Sequence, residues 1–351
     1  MITLDAISTF RTFMINPLVN GLILGIMVLG VFLSFRVLNI ADLSVEGILP
    51  MVTMLTAVLI GADINPWLTL LICMALGAVC GILNALLTIY LKTPPLLSGI
   101  IVMALTFGIA IMINSLKAGQ ASFDPNAHLT VFNWLRKAMS AGSTDRIWNF
   151  YASYLSYILI GLLLLAVVWF ALYFFFGTEL GMSIRAAGKN AAMSKANGIS
   201  VNAMSIIALA LSGGLVGLSA SLYGQHNGMG LPTDGQGMIV IALSSLFLGE
   251  IIIGTRTFKR SLIAAFVGSL LYWYVIQALM LLDDKGYMLS IYKALLLVVI
   301  IALQLLLSFF KKRKPRDGTK AKTQNKGTMD SVLKETTMSI SRHCLGERTI
   351  C

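Results

Sequence analysis

The stretch GTELGMSIRAAGKNAAMSKANGIS, Gly177 to Ser200, decides how the rest of the chain is read. It separates two long uncharged runs, Ile147–Thr178 and Ala196–Thr233. Its own charges are Glu179, Arg185, Lys189 and Lys195, a net of +2. Ser183 to Ala196 holds good helix formers and no proline, which predicts one short, polar, basic helix between two membrane spans. Gly181 stands before it, and Gly198 stands where a helix would stop. On charge alone this is an ordinary cytoplasmic loop, basic because such loops are.

Working outward, the composition bounds the class. Of 351 residues, 57% are hydrophobic and 12% charged, with mean hydropathy +0.85. Soluble domains carry about a quarter charged residues, so half that share with long apolar runs means a polytopic membrane protein. The net charge of +11 is unevenly spread. From Lys311 onward there are 11 Lys/Arg against 4 Asp/Glu, and the rest of the chain has 15 against 11. A basic tail directly after a hydrophobic span is explained by the positive-inside rule and anionic lipid, so nucleic acid is not an expected partner. The tail, 311–351, is expected to be a disordered cytoplasmic extension of a transmembrane domain covering 1–310.

A span needs about 20 mostly apolar residues. Nine segments qualify: Pro17–Leu38, Ala41–Ile60, Pro66–Leu91, Pro95–Leu116, Tyr151–Phe176, Val201–Tyr223, Gly235–Ile253, Ser261–Leu282 and Leu289–Phe310. The fold class is therefore all-α, a helical bundle of about nine transmembrane segments. Ala41–Ile60, with Asp42, Glu46 and Pro50, and the short Gly235–Ile253 are read as broken or re-entrant. Basic residues place Arg36, Lys92, Arg185, Lys189, Lys195 and the C-terminus in the cytoplasm, and by parity Met1 outside. The longer outer loop, Lys117–Arg146, is the exception to that count, and its middle (VFNWLRKAM) reads as a helix on the surface. Met1–Asn16 has no cleavable-signal pattern, so the first span is expected to stay in the protein. Cys73, Cys80, Cys344 and Cys351 form no disulfide framework.

Enzymatic constellations are missing. His128, His226 and His343 lie in three different loops without metal-ligand spacing, and no phosphate-binding G-x-x-x-x-G-K-[ST] stretch exists. No catalytic residue, metal or cofactor is expected in this chain, so the energy must come from a partner or an ion gradient. Ionisable residues inside spans are functional candidates by default. Asp42, Glu46 and Lys293 qualify, and on a helix Asp42 and Glu46 would share a face. Arg36 or Lys293 would then balance them, while the structural alternative has Asp42 capping a helix that starts at Leu43. Polar residues able to line a path are Asn84, Ser212, Gln225, Asn227, Gln236, Ser244, Ser245 and Gln277, with Tyr272, Trp273 and Tyr274. Taken singly, each is as well explained by an interhelical hydrogen bond or an interfacial aromatic.

Three motifs in order carry a family resemblance. IADLSVEGILP at Ile40–Pro50 resembles the DLSVG element of permeases of the branched-chain amino acid and ribose type, with Glu46 where the pattern has glycine. Gly81, Asn84, Lys92, Pro94 and Pro95 match the segment that follows, with Ala85 in place of the usual glycine. Gly181, Arg185, Ala186, Gly188, Asn190 and Gly198-Ile199 are similar to the family's coupling loop, which docks into a groove of a cytoplasmic ATPase. The resemblance implies a type II-like ABC importer permease in the bacterial inner membrane. It also implies two ATPase subunits that bind ATP, an extracytoplasmic substrate-binding protein, and a second copy or paralogue enclosing the path. Arg185, Ala186, Gly188, Lys189, Asn190 and Gly198 would couple to the ATPase. Asp42, Glu46, Asn84, Ser212, Gln225 and Gln277 would line the path. The acidic residue in DLSVEG is most like a branch assigned to uptake of amino acids of the tryptophan kind. A nucleoside or pentose permease, an ion-coupled secondary transporter and a non-transporting scaffold are the alternatives.

Overall fold

The computed structural model describes residues 14–116, 121–124, 128–140, 146–254, 257–280 and 289–312. The tail beyond Lys312, with His343, Cys344 and Cys351, and the N-terminal Met1 lie outside the described residues. The chain divides into two compact units after Ile301, and the packing below belongs to the first. Its helices are α1 (Asn16–Phe32), α2 (Val45–Gly61), α3 (Pro66–Tyr90), α4 (Pro95–Leu116), α5 (Val131–Ser140) and α6 (Arg146–Phe175). They continue with α7 (Glu179–Lys189), α8 (Ala191–Ala196), α9 (Val201–Asn227), α10 (Met238–Ile253), α11 (Phe258–Met280) and α12 (Leu289–Lys312). Seven helices are long and apolar enough to cross a membrane. Two shorter apolar helices, Val45–Gly61 and Ile291–Leu303, bring the apolar total among the described residues to nine.

α1 is the central element. Its spanning window is 83% buried, against 28% for those of α4 and α6. A helix apolar on every side has no polar face to turn to water, so neighbours surround it. Three serines tie those neighbours to its backbone: Ser219 Oγ donates to Ile23 O at 2.8 Å, Ser212 Oγ to Gly30 O at 2.8 Å, and Ser269 Oγ to Gly21 O at 3.0 Å. Where apolar packing gains nothing over lipid, such bonds and close backbone approach hold helices together. The α3–α9 seam shows the second device. A methyl on Gly77 would overlap the Gly213 carbonyl oxygen, and one on Gly213 would overlap that of Gly77.

Two expectations are corrected. The segment read as one helix, Ser183–Ala196, is two. α7 begins earlier because Thr178 Oγ1 accepts from Gly181 N (3.4 Å), which puts Gly181 inside the first turn. It ends at Asn190, whose extended backbone (φ −152°, ψ 96°) breaks the run and whose side chain caps α8 through Met193 N at 3.1 Å. Asn prefers that cap position because its side chain satisfies an orphan amide. Second, Pro50 does not break α2. The irregular part lies before Val45, and the helix runs through the proline. Proline leaves the Glu46 carbonyl without its helical donor, and Gly235 packs into the gap, where a Cβ would overlap Glu46 O and lie 2.7 Å from Pro50 Cδ.

The Gly235–Ile253 segment is a shortened helix with an irregular lead-in. Gly230, paired antiparallel with Ala121, lies against Met54 of α2, and Gly235 lies against Glu46. The chain thus descends along α2 by eight residues, about 12 Å of helix, before α10 starts. Gly237 makes the turn with φ +71°, a conformation only glycine adopts freely.

Candidate functional site on the translocation path and coupling segment

Two polar clusters lie among the apolar helices. In the first, Asp42 is 3% exposed and sits in the turn before α2. Its Oδ1 accepts from Ser44 N (2.9 Å), Ser44 Oγ (2.6 Å) and Asn84 Nδ2 (2.8 Å). Asp42 Oδ2 and Asn84 Oδ1 are buried without a partner among the described residues. Asp42 is not helical, so it does not share a helix face with Glu46, and Ser44 stands at the start of α2 instead. Arg36 balances neither acid. Its Nε and Nη2 reach Glu250 Oε1 and Oε2 at 2.8 and 2.7 Å, a bidentate pair between the end of α1 and the last turn of α10. A π-helical turn, Leu33–Val37, carries Arg36 there.

The second cluster gathers at the start of α10. Glu46 lies in the first turn of α2, and the N–H groups of Gly237 and Ile239 donate toward its carboxylate. Asp234 Oδ2 accepts from Leu231 N at 2.8 Å. Lys293 of α12 interacts electrostatically with both acids, and its Cδ passes 3.9 Å from where a Gly237 Cβ would stand. Neither acid forms an ion pair with Lys293 within 4 Å among the described residues. Two carboxylates, one ammonium and a helix N-terminus therefore face each other without closing.

The other candidates are held in structural bonds or stand apart. Ser212 is bonded to α1. Gln225 Oε1 accepts from Val131 N at 3.0 Å, tying α9 to α5. Ser245 Oγ donates within its own helix at 2.7 Å, whereas Ser244 Oγ and the Tyr272 hydroxyl are buried without partners among the described residues. Gln277 is half-buried on α11, and Asn227 and Gln236 are exposed. Tyr274 donates its hydroxyl to Met14 O at 3.0 Å.

The 177–200 segment, the coupling candidate, presents a divided face. Arg185 turns inward, with Nη2 donating to Phe176 O at 2.9 Å and its guanidinium 5.1 Å from the Phe258 ring centre. Gly188 abuts the end of the π-helical turn, where a methyl would overlap Val37 O, and Asn39 Nδ2 donates to Gly188 O at 3.0 Å. Ala186 is half-buried between them. Lys189, Asn190, Lys195 and Gly198 are exposed, the last ending α8 with φ +78°. Beside them Leu180, Met182 and Met193 are exposed large apolar residues. Outside lipid, such a patch marks a protein contact.

The matches to known proteins follow this layout. Residues 13–304 match the family model described as branched-chain amino acid transport system / permease component. The chain belongs to this family. The permease is similar to a tyrosine transport system permease protein of Clostridioides difficile, 27% identical over 82% of this chain and 90% of that one. It is also similar to the ribose import permease protein RbsC of Escherichia coli, 26% identical over 82% and 85%. Over about half of each chain it is 29% identical to the guanosine ABC transporter permease protein NupQ of Bacillus subtilis. No solved structure matches it at a significant level. The permease is a multi-pass inner-membrane component of an ABC transporter, and its family is a transport component. Its family implies an ATPase and a substrate-binding protein as partners.

Sequence reasoning missed Glu250 and Asp234. Glu250 was findable, as an ionisable residue inside an apolar segment, the criterion that singled out Lys293. Asp234 was not, because nothing in the sequence says that the segment before α10 turns back along α2. The apolar residues of the coupling segment were hidden by its basic composition.

Proposed function

We propose that the permease translocates a small zwitterionic amino acid by alternating access. Two copies, or one copy and a paralogue, enclose the path, and a partner ATPase supplies the energy. The observation that carries this reading is the open set of Glu46, Asp234 and Lys293 at the start of α10. Holding three ionisable groups among membrane helices is costly unless they meet opposite charge or water. A zwitterion offers both signs at the spacing of one small molecule. Its carboxylate suits Lys293, and its ammonium suits the two carboxylates. A pentose or nucleoside has no charge to use there. Glu46, the acid in DLSVEG, favours the same class.

Coupling runs through 177–200. ATP-driven closure of the ATPases moves α7 and α8, and the path reopens on the other side. The exposed Leu180, Met182 and Met193 give the ATPase its apolar grip, while Arg185 and Gly188 fasten the segment to the permease.

The test is uptake into proteoliposomes holding the permease, its ATPase and its binding protein, offered labelled tyrosine, ribose or guanosine. ATP-dependent tyrosine uptake that falls with Lys293→Met is expected. Uptake of ribose or guanosine alone overturns the solute class. Uptake by the permease without ATP or partners overturns the ABC mechanism in favour of ion-coupled transport.

A further inference from the structure

A cavity of about 680 Å³ opens where the end of α6 meets α7 and the start of α11. Tyr173, Phe174, Thr178, Arg185, Thr257 and Lys259 line it. A second cavity of about 510 Å³ shares Arg185, Thr257 and Phe258 and adds Arg36 and Lys189. No Asp or Glu lines either one among the described residues. Arg36 is already neutralised by Glu250. Arg185, Lys189 and Lys259 have no carboxylate within 4 Å among the described residues. Arg185 and Lys259 rest instead on aromatic rings, the Lys259 ammonium 4.7 Å from the Tyr173 ring centre. Cations held on rings keep their charge available, since a quadrupole attracts without neutralising.

The surroundings say what kind of anion fits. Leu163, Val167, Phe170 and Phe174 are all more than half exposed and follow one another at spacings of four, three and four along α6. That spacing makes one stripe, and it ends at the cavity, which Phe174 lines. Trp169 and Tyr173 stack at 5.7 Å and 8° at the same level, where aromatic residues mark the membrane–water boundary. The positive-inside count puts this end in the cytoplasm. Three cations without a carboxylate partner, the Thr257 hydroxyl and an apolar stripe leading away through the bilayer match one molecule with an anionic head and apolar chains.

We propose that this cavity binds an anionic phospholipid. Its phosphate lies between Lys259 and Arg185, and an acyl chain runs along the α6 stripe. The lipid would sit against the root of α7 and brace the coupling segment from the membrane side. Basic pockets between helices on the cytoplasmic side take such head groups by charge and geometry together.

The test uses the purified full-length permease and native mass spectrometry, with phosphatidylglycerol, phosphatidylcholine and inorganic phosphate as probes. Wild type is expected to retain phosphatidylglycerol over phosphatidylcholine. Lys259→Gln should weaken that retention about fivefold, the worth of one basic residue at a charged lipid surface, and Lys259→Arg should keep it. Equal retention of the two lipids, or full retention by Lys259→Gln, overturns the proposal. So does displacement of the lipid by millimolar phosphate, which would make this a free-anion site. Loss of phosphatidylglycerol once the ATPase is added would assign the surface to the ATPase and overturn it too.

Discussion

Asn84 Nδ2 donates to Asp42 Oδ1 at 2.8 Å, joining two sequence motifs 42 residues apart inside the bundle. Neither side chain has more than 3% exposure. Asn84→Ala removes a donor from a buried carboxylate, which costs roughly 1–3 kcal/mol. The thermal midpoint of the detergent-solubilised permease should fall accordingly. In a double-mutant cycle with Asp42→Ala, the second change should cost much less than it does alone. Strict additivity would show that the two residues act independently.

The open cluster at α10 gives a prediction with the opposite signature. Glu46→Gln keeps the acceptor oxygen and removes the charge, so the quantity of folded permease should stay near wild type while tyrosine uptake drops. A loss of the protein from the membrane would instead mark Glu46 as half of a structural pair, since breaking a buried pair is strongly destabilising.

Gly235 separates close approach from mere flexibility. Gly235→Ala places a methyl on Glu46 O and should sharply reduce folded yield. Gly61, at the end of α2, has nothing within 4 Å of the point where a Cβ would stand. Gly61→Ala should be neutral or slightly stabilising, by at most about 1 kcal/mol. Equal behaviour of the two variants in a solubilisation assay would dissolve the argument.

On the coupling segment, exposure and attachment predict different phenotypes. Met193 is 65% exposed. Met193→Ser should leave insertion and thermal stability unchanged and reduce ATPase co-purification, by about 1–2 kcal/mol of binding if it is an anchor. Arg185→Ala should lower the thermal midpoint of the permease itself, because it frees Phe176 O and uncovers Phe258. An undiminished midpoint for Arg185→Ala, together with lost ATPase binding, would reverse the two roles.

Periodic and compositional features were legible in the sequence, and features set by long-range return of the chain were not. The nine apolar segments, the basic coupling stretch and the amphipathic piece at Val131–Ser140 each follow from residues adjacent in sequence. Asp42 and Asn84 were selected singly, yet their bond depends on how α3 crosses the start of α2. Arg36 was assigned to Glu46 or Asp42 by nearness in sequence, whereas its partner Glu250 is 214 residues away. The break at Asn190 escaped because good helix formers flank it on both sides, and a single residue's cap preference is a weak prior that the packed segment decides. Pro50 misled in the other direction: the helix runs through it, and the close approach of Gly235 to Glu46 O is a long-range contact that no local pattern could supply.

The seam between Gly188 and the end of α1 has a mechanical consequence. Because the Val37 carbonyl oxygen and the Asn39 amide already press on Gly188, there is no backlash between α7 and α1, the most buried membrane-length helix among the described residues. Under the coupling role proposed for this segment, a stroke delivered to it would be taken up first at the axle of the bundle and only afterwards by its lipid-facing rim. Widening that seam, even without touching the ATPase or the solute path, would turn the stroke into idle motion.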